Sequence, residues 1–401
     1  MVFGASTWVP PLSFLAGDFK VHVDHVARLQ AAGVDPYRQA GDWVCALYPY
    51  PPMVARSFAW VALVGPATAA RLWQVALASL FAGGAVAAWR TRRVLGLSEI
   101  PPAAAVAAVL FSTPAVFAME RGQSDPMVIL PLGVAAWLLA RRGAGPDLAA
   151  GALLGATAWL KYYPGLAAVA LLALGRSRAL AAFVAVAALI GVGDLDGVRR
   201  SIRNGAIGQA AMADKVPHVH ETKHSLVENW PSLKFVRRSR PLRQVPGAVA
   251  AAALLLPAVV AVSRQVARSA DPGPVLFPYL LWLTAAATFG MPYANDYNLV
   301  PLPLAILATW DRRDPWPAQV ALGVMLAWWQ PFRLPMGGPA LLGIKLAGLY
   351  AAGACLAARA DRPGPAPGLA GPHRPASARA EGRRGRARPV SGAPAPGPRP
   401  S

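Results

Sequence analysis

Cysteine is nearly absent from this sequence. The chain contains two cysteines, Cys45 and Cys355, which lie far apart along it. Two thiols at this separation exclude a disulfide framework and a cysteine-based zinc site as organising features.

Charged residues are also scarce. They make up 14% of the chain, against 55% hydrophobic residues, and the segments 103–118 and 179–192 contain none. A soluble protein of this length would keep its apolar residues periodic, whereas these segments are apolar on every helical face. The composition is typical of a membrane protein whose core is a lipid-embedded helical bundle.

Acidic residues are few, with 19 Asp and Glu against 39 Lys and Arg, which gives a formal charge of +20. Such a balance can indicate nucleic-acid binding. Much of the excess, however, lies in short loops beside apolar segments and in the C-terminal tail, where the positive-inside rule explains it more simply. We predict no nucleic-acid partner.

The apolar runs predict a polytopic, all-α transmembrane bundle of about 11–12 spans, because a helix needs roughly 20 residues to cross the hydrocarbon layer. The stretch 52–64 is short and interrupted by Arg56, which predicts an interfacial or re-entrant helix. Residues 1–16 are compatible with the end of one further span. The candidate spans are 71–89, 101–119, 126–140, 147–160, 164–175, 178–193, 246–263, 275–291, 298–310, 316–331 and 339–358.

Counting crossings assigns the short basic loops and the C-terminal tail to one face, which the positive-inside rule makes cytoplasmic. The long loop 194–245 is itself basic and argues against this orientation; lipid-phosphate binding or headgroup anchoring would account for its charges. We expect a membrane domain over 1–358 and a disordered cytoplasmic tail over 359–401, rich in Pro, Arg, Gly and Ala. The loops expected on the extracytoplasmic face are 17–51, 120–125, 161–163, 194–245 and 292–297.

Polar side chains near the spans gather on that extracytoplasmic face. Asp18 lies where the first external loop leaves the membrane, so it is either a functional carboxylate or a helix N-cap. Tyr48 belongs to a run of tyrosines and prolines that suits sugar binding, but also suits an ordinary aromatic belt.

Two further loops carry candidate binding residues. Arg121, Gln123 and Asp125 form a compact polar hairpin that can hold a phosphate and hydroxyl groups, or can be a salt-bridged turn. Lys161, at the external end of an apolar helix, either meets a substrate or extends to lipid headgroups.

The remaining candidates lie in the long loop and near the last spans. His224 follows two other histidines, but the spacing lacks a helical or strand context and a clear carboxylate partner, so we predict no metal site. Asp296 and Tyr297 close a span with groups that suit a sugar or phosphate, or form a simple interfacial turn.

Taken in order, these elements resemble glycosyltransferase family 87 of the GT-C superfamily, over most of the chain up to the last span. The motifs that carry the resemblance are Gly-Asp-Phe at 17–19, Asp-Pro-Tyr at 35–37, Tyr-Pro at 48–49 with Pro-Pro at 51–52, Arg-Gly-Gln-Ser-Asp at 121–125, Lys161 with Pro164, His-Ser-Leu at 224–226 and Asp-Tyr at 296–297.

The resemblance implies a GT-C-like enzyme of the cell membrane, with its active site outside the cell. It would transfer a hexose, mannose by family expectation, from a polyprenyl-phosphate donor to an envelope glycolipid or glycan, with inversion and without a cofactor or metal. Asp18 would be the catalytic base. The implied substrate-binding residues are Lys161, His224, Arg121, Gln123, Asp125, Tyr48, Asp296 and Tyr297.

Two other classes of protein fit the composition. A lipid or sugar transporter or flippase is a bundle of similar size, although transporters usually show internal repeats with broken helices, and the sequence shows no convincing repeat. A non-catalytic partner in envelope assembly is the other. Polar groups clustered on one face favour interfacial chemistry.

Overall fold

Helices form the regular structure throughout the part of the chain that the computed structural model describes, which comprises residues 17–37, 48–141, 143–215, 226–269, 273–291, 296–309 and 338–360. These residues belong to one compact unit, Met1–Arg362. No strand occurs within the described ranges, and the all-α prediction is confirmed. The predicted tail lies almost wholly outside them and stays a prediction.

The α-helices are α1 (Gly17–Phe19), α2 (His25–Ala31), α3 (Pro52–Ser57), α4 (Pro66–Val94), α5 (Pro102–Leu110), α6 (Thr113–Arg121), α7 (Ile129–Ala140), α8 (Ala144–Thr157), α9 (Ala167–Ala173), α10 (Ser177–Val192), α11 (Leu195–Lys215), α12 (Leu226–Asn229), α13 (Lys234–Arg238), α14 (Arg240–Arg243), α15 (Gly247–Arg268), α16 (Gly273–Gly290), α17 (Pro301–Thr309) and α18 (Gly338–Ala360). A π-helical turn, Lys20–Asp24, joins α1 to α2. Short 3-10 turns are Ala59–Leu63, Asp125–Val128, Tyr163–Leu166, Trp230–Ser232 and Asp296–Leu299.

Three described helices are long and apolar enough to cross a membrane, and bent helix pairs raise that number to five. This supports a membrane protein; among the described residues the number is lower than the roughly eleven candidate spans of the sequence, several of which are short. The segments predicted as spans near α7, α8, α9 and α17 are helical, yet these helices have only 7 to 14 residues. At 1.5 Å per residue they cover about 10–21 Å, less than the hydrocarbon thickness. The predicted span 316–331 lies outside the described residues.

A proline explains the break in one predicted span. The segment 101–119 divides into α5 and α6, which are bent by 59°. Pro114 lies in the first turn of α6, where its missing N–H is harmless; inside a continuous helix it would clash with the carbonyl four residues earlier. The bend lets α6 end at Arg121 beside the helical segment 17–31.

The segment 194–245, predicted as a long loop, contains α11 to α14 instead. Helix α11 leaves α10 at an angle of 91°. The Asn204 amide on α11 donates hydrogen bonds to the backbone carbonyls of Tyr37 and Tyr48, at 3.2 and 3.3 Å. Helix α11 therefore ties together the two ends of the segment 38–47, which itself lies outside the described residues.

Close helix packing in the bundle depends on small residues. Gly151 and Gly155, four residues apart on α8, face the backbone of α10 at Ala179 and Phe183. Such a glycine pair lets helix backbones approach closely, which is a common source of attraction between helices in lipid.

Three of the basic residues predicted for the cytoplasmic face, Arg90, Arg92 and Arg93, lie at the C-terminal end of α4. Buried Arg92 donates to the carbonyl oxygens of Leu307 and Ser98, at 2.5 and 2.7 Å, and so satisfies the end of α17. The guanidinium groups of Arg90 and Arg141 lie over the Trp137 ring. Trp73, in the N-terminal part of α4, contacts a different region, the polar turn that follows α6.

We predict that Gly155→Ala lowers the free energy of unfolding by about 1–3 kcal/mol, because the added Cβ would lie 2.5 Å from the carbonyl oxygen of Phe183. Thermal unfolding of the detergent-purified protein measures this change. Gly145→Ala, on the same helix with no neighbour within 4 Å, is the matched control and should be neutral or slightly stabilising. Equal loss in both variants would contradict the packing account.

Candidate functional site

A polar cluster forms where α1, α6, the end of α8 and two 3-10 turns meet. We define the polar cluster as Asp18, Tyr50, Arg121, Gln123, Asp125, Lys161 and Asn298. Its members come from five segments spread over about 280 residues of sequence, and hydrogen bonds, ion pairs or ring contacts connect them.

The Asp18 carboxylate accepts three hydrogen bonds from one turn. Arg121 donates from Nε and Nη2 to the two oxygens, at 2.9 and 2.8 Å, which is the bidentate geometry of a guanidinium on a carboxylate. The Gln123 amide donates a short third bond to Oδ2. The Asp18 side chain is 13% exposed, whereas that of Arg121 is 48% exposed, so the guanidinium forms the outer edge of the pair.

The turn that carries these donors has a fixed backbone. Helix α6 ends in a left-handed residue, Gly122, and the amides of Gly122 and Gln123 bond back to the carbonyls of Met119 and Ala118. A Cβ at position 122 would lie 2.7 Å from the Cβ of Phe19, so only glycine allows α1 to approach this closely. The Trp73 indole donates to the Gly122 carbonyl at 2.9 Å.

A buried ion pair forms the floor of the cluster. The Lys161 ammonium lies 2.9 Å from Oδ2 of Asp125, and the two side chains are 10% and 0% exposed. The Asn298 amide donates to Oδ1 of Asp125 at 2.6 Å, and the Tyr163 hydroxyl donates to the same oxygen at 3.5 Å. Both oxygens of the buried carboxylate therefore have partners, as burial of a charge requires.

Tyr50 joins the floor to the outer pair. Its ring lies 3.9 Å from the Lys161 ammonium, in a cation–π contact, and its hydroxyl donates to Oε1 of Gln123 at 3.4 Å. The imidazole of His22 packs against the edge of the same ring, with 5.2 Å between centroids.

His22 contributes no positive charge at neutral pH. Burial lowers the pKa of this imidazole from 6.5 to about 4; nearby Asp18 raises it, and Lys161 and Arg121 lower it further. The positive charge of the described cluster thus comes from Arg121 and Lys161, and two carboxylates balance it.

A comparison with known protein families matches one part of the chain. Residues 48–193 match the model of glycosyltransferase family 87. The resemblance to this family is therefore confirmed, over less than half of the chain. No curated protein matches the sequence.

The match to glycosyltransferase family 87 supports a glycosyltransferase, which acts on a sugar donor and an acceptor. Arg121, Gln123, Asp125, Lys161 and Tyr50 lie inside the matched region. Asp18 and Asn298 lie outside it, and the hydrogen bonds from Arg121, Gln123 and Asn298 connect them to it.

Most of the predicted site residues with described side chains come together. Asp18, Arg121, Gln123, Asp125 and Lys161 are in the cluster. Tyr48 is buried and packs against Tyr37 and Tyr50, so it lies behind the aromatic ring that contacts Lys161.

The side chains of the other predicted site residues are not among those that the structure describes. Asp296 and Tyr297 begin the 3-10 turn that presents Asn298, but their side chains lie outside the described part of the structure. His224 lies outside it entirely. Within the described ranges, no group of three His, Cys, Asp or Glu side chains could hold a metal ion.

Sequence reasoning left three neighbours without an assigned role. Tyr50 stands two residues after Tyr48 in the same aromatic run, and only its contact with Lys161 distinguishes the two. Asn298 directly follows the predicted Asp296 and Tyr297. His22 lies four residues after Asp18, and helical spacing, i to i+4, places it on the same side of the segment.

We predict that Lys161→Met lowers the free energy of unfolding by about 3–5 kcal/mol, because it leaves the Asp125 carboxylate buried without a cation. A second change, Asp125→Asn, should restore part of that loss, since Asn at this position is uncharged. Denaturant titration in detergent checks both effects.

The matched control is Arg56→Met. It removes the Arg56–Asp194 pair, whose arginine is 66% exposed, and should cost less than about 1 kcal/mol. If Lys161→Met cost no more than Arg56→Met, the buried pair would not be the structural floor of the cluster.

Proposed function

We propose that the chain transfers a hexose, mannose by family resemblance, from a polyprenyl-phosphate donor to an envelope glycolipid or glycan on the extracytoplasmic face of the cell membrane. The observation that carries this proposal is a carboxylate, Asp18, held beside two cations, Arg121 and Lys161, at one end of an apolar helical bundle. A base and a phosphate site are the two functions that such a transfer needs.

The donor already contains a good leaving group, because its phosphate is ionised. One base therefore suffices. In the proposed step, the acceptor hydroxyl oxygen forms a bond to the anomeric carbon, and the bond between that carbon and the phosphate oxygen breaks. The acceptor proton passes to Asp18, the electron pair leaves with polyprenyl phosphate, and attack from the opposite face inverts the anomeric carbon.

The cations have separate tasks in this proposal. Arg121, with its exposed guanidinium, contacts the donor phosphate, since planar bidentate donors match phosphate oxygens. Lys161, with little exposure, provides a fixed positive field that favours the charge growing on the leaving phosphate. Gln123, Asp125, Tyr48, Asp296 and Tyr297 remain proposed contacts or supports, and His224 is proposed as a further phosphate ligand.

An apolar groove supports a lipid donor. A cavity of about 290 Å³ is lined mainly by apolar groups of α3, the end of α10 and Trp159, and Arg56 and Asp194 lie at its side. Its lining includes Met53, Pro52, two residues after Tyr50 in the sequence, and Trp159, two residues before Lys161. A hydrocarbon chain in this groove would bring its phosphate to the polar cluster.

We expect Asp18→Asn to reduce transfer by about 10²-fold or more, because the amide cannot take the acceptor proton. The assay follows label from radiolabelled polyprenyl-phosphate mannose into a lipid or glycan product, using purified protein. The matched control is Asp24→Asn, on the same helical segment, where the carboxylate pairs with Arg28 at 2.8 Å. This control should keep near-native activity.

The same assay separates the proposed enzyme from the two other classes. A transporter or a non-catalytic partner gives no labelled product with the unmodified protein. Near-native transfer by Asp18→Asn would show that Asp18 is not the base.

Met53→Trp should fill the groove and reduce kcat/KM for a long-chain polyprenyl donor by about fivefold or more, because hydrocarbon burial supplies binding energy. A short-chain, water-soluble donor analogue should be used equally well by both proteins. Val184→Trp, at a site 53% exposed on the same α10 that lines the groove, is the control. Equal losses with both donors would argue against the groove as the chain-binding site.

A further inference from the structure

The Asp18–Arg121 pair raises a difficulty for a catalytic base. An ionised carboxylate offers about four acceptor positions, and three on Asp18 already receive hydrogen bonds from Arg121 and Gln123. An acceptor hydroxyl that approaches Asp18 finds one position left, on Oδ1, beside the guanidinium that occupies the other.

The charges of the polar cluster present the matching difficulty for a phosphate. Lys161 is committed to buried Asp125, and Arg121 is committed to Asp18, so the two described cations of the cluster are each neutralised by a carboxylate. A donor phosphate can gain full attraction from Arg121 only by competing with Asp18.

The geometry shows which pair can exchange partners. Lys161 and Asp125 are 10% and 0% exposed, and Tyr50, Asn298 and Tyr163 hold them from other sides. The Arg121 side chain is 48% exposed, at the end of a helix whose backbone is fixed by Gly122 and Trp73. The outer pair can therefore open by movement of one long side chain, while the turn and the floor stay in place.

We propose that Asp18 and the donor phosphate compete for Arg121, so that donor binding moves the guanidinium from the carboxylate to the phosphate and frees Asp18 for the acceptor hydroxyl. This inference rests on the proposed function and adds an order of binding to it, donor before acceptor. No bond forms or breaks in the exchange. The pair keeps the base occupied until a donor is present.

The exchange makes a counterintuitive prediction for Asp18→Asn. Loss of the carboxylate removes the competitor of the phosphate, so this variant should bind a short-chain polyprenyl phosphate about fivefold to tenfold more tightly than the unmodified protein. Isothermal titration of the full-length protein in detergent, with this sugar-free probe, measures binding without any transfer step.

Two further variants define the cause. Arg121→Gln should weaken binding, and Asp18→Asn combined with Arg121→Gln should show no gain over Arg121→Gln alone, because no guanidinium is left to be released. Asp24→Asn removes a carboxylate of the same helical segment that pairs with Arg28 at 2.8 Å; its affinity for the probe should change less than threefold, which separates competition for Arg121 from a general loss of negative charge.

The proposal is wrong if Asp18→Asn binds the probe equally or more weakly while its melting temperature is preserved, or if the gain persists in the double variant. It is also wrong if no protein binds the probe at all. Should Asp18→Asn be unstable, the unmodified protein gives an independent test with an arginine-specific reagent. Modification of Arg121 must lower the affinity for the probe, and prior binding of the probe must protect Arg121 from the reagent. A lack of protection would contradict the proposal.

These outcomes are independent of the transfer assay. If Asp18→Asn binds the probe more tightly but the unmodified protein transfers no label, the result would support the exchange and contradict the proposed enzyme. Transfer activity with unchanged binding would do the reverse.

Discussion

Asp125 is a carboxylate without solvent exposure, and it faces the Lys161 ammonium at 2.9 Å. A charge removed from water at the end of an apolar bundle is unfavourable unless a partner and hydrogen bonds compensate it, and Asn298 and Tyr163 supply those bonds. Three separate segments must therefore meet at one place: the turn after α6, the stretch 161–163 after α8 and the turn before α17. The other features of the site follow from this requirement.

The buried Lys161–Asp125 pair forms the rigid part of the site, and the Asp18–Arg121 pair forms its adjustable part. Lys161 holds the Tyr50 ring, and Tyr50 reaches Gln123, which bonds to Asp18. Only the outermost contact, between Asp18 and half-exposed Arg121, joins the cluster through a long side chain near solvent. The proposed glycosyl transfer would use both kinds of group, because a preorganised field would stabilise the leaving phosphate while the base would meet a changing set of partners.

The sequence predicted the helical class and the residues that converge, because charged residues between apolar runs are few and each is conspicuous. It did not predict the pairing. The hydrogen-bond partners depend on Gly122, which allows Phe19 of α1 to approach the turn after α6, and on the bend at Pro114. Neither feature follows from periodicity. Composition also does not give helix lengths, because an apolar run such as 164–175 has no property that separates a spanning helix from the short helix α9. Tyr50 could not be preferred to Tyr48 without their ring contacts.

We propose that Asp18 and Arg121 belong to one site on the outer membrane face, opposite Arg90 at the end of α4 and Arg141 at the end of α7. Single cysteines at positions 18, 121, 90 and 141, introduced after replacement of Cys45 and Cys355, test it by labelling intact cells with a membrane-impermeant thiol reagent. We predict labelling at 18 and 121 in intact cells, and at 90 and 141 only after permeabilisation. Labelling of 18 and 121 from different sides, or of 18 and 141 from the same side, would contradict the account.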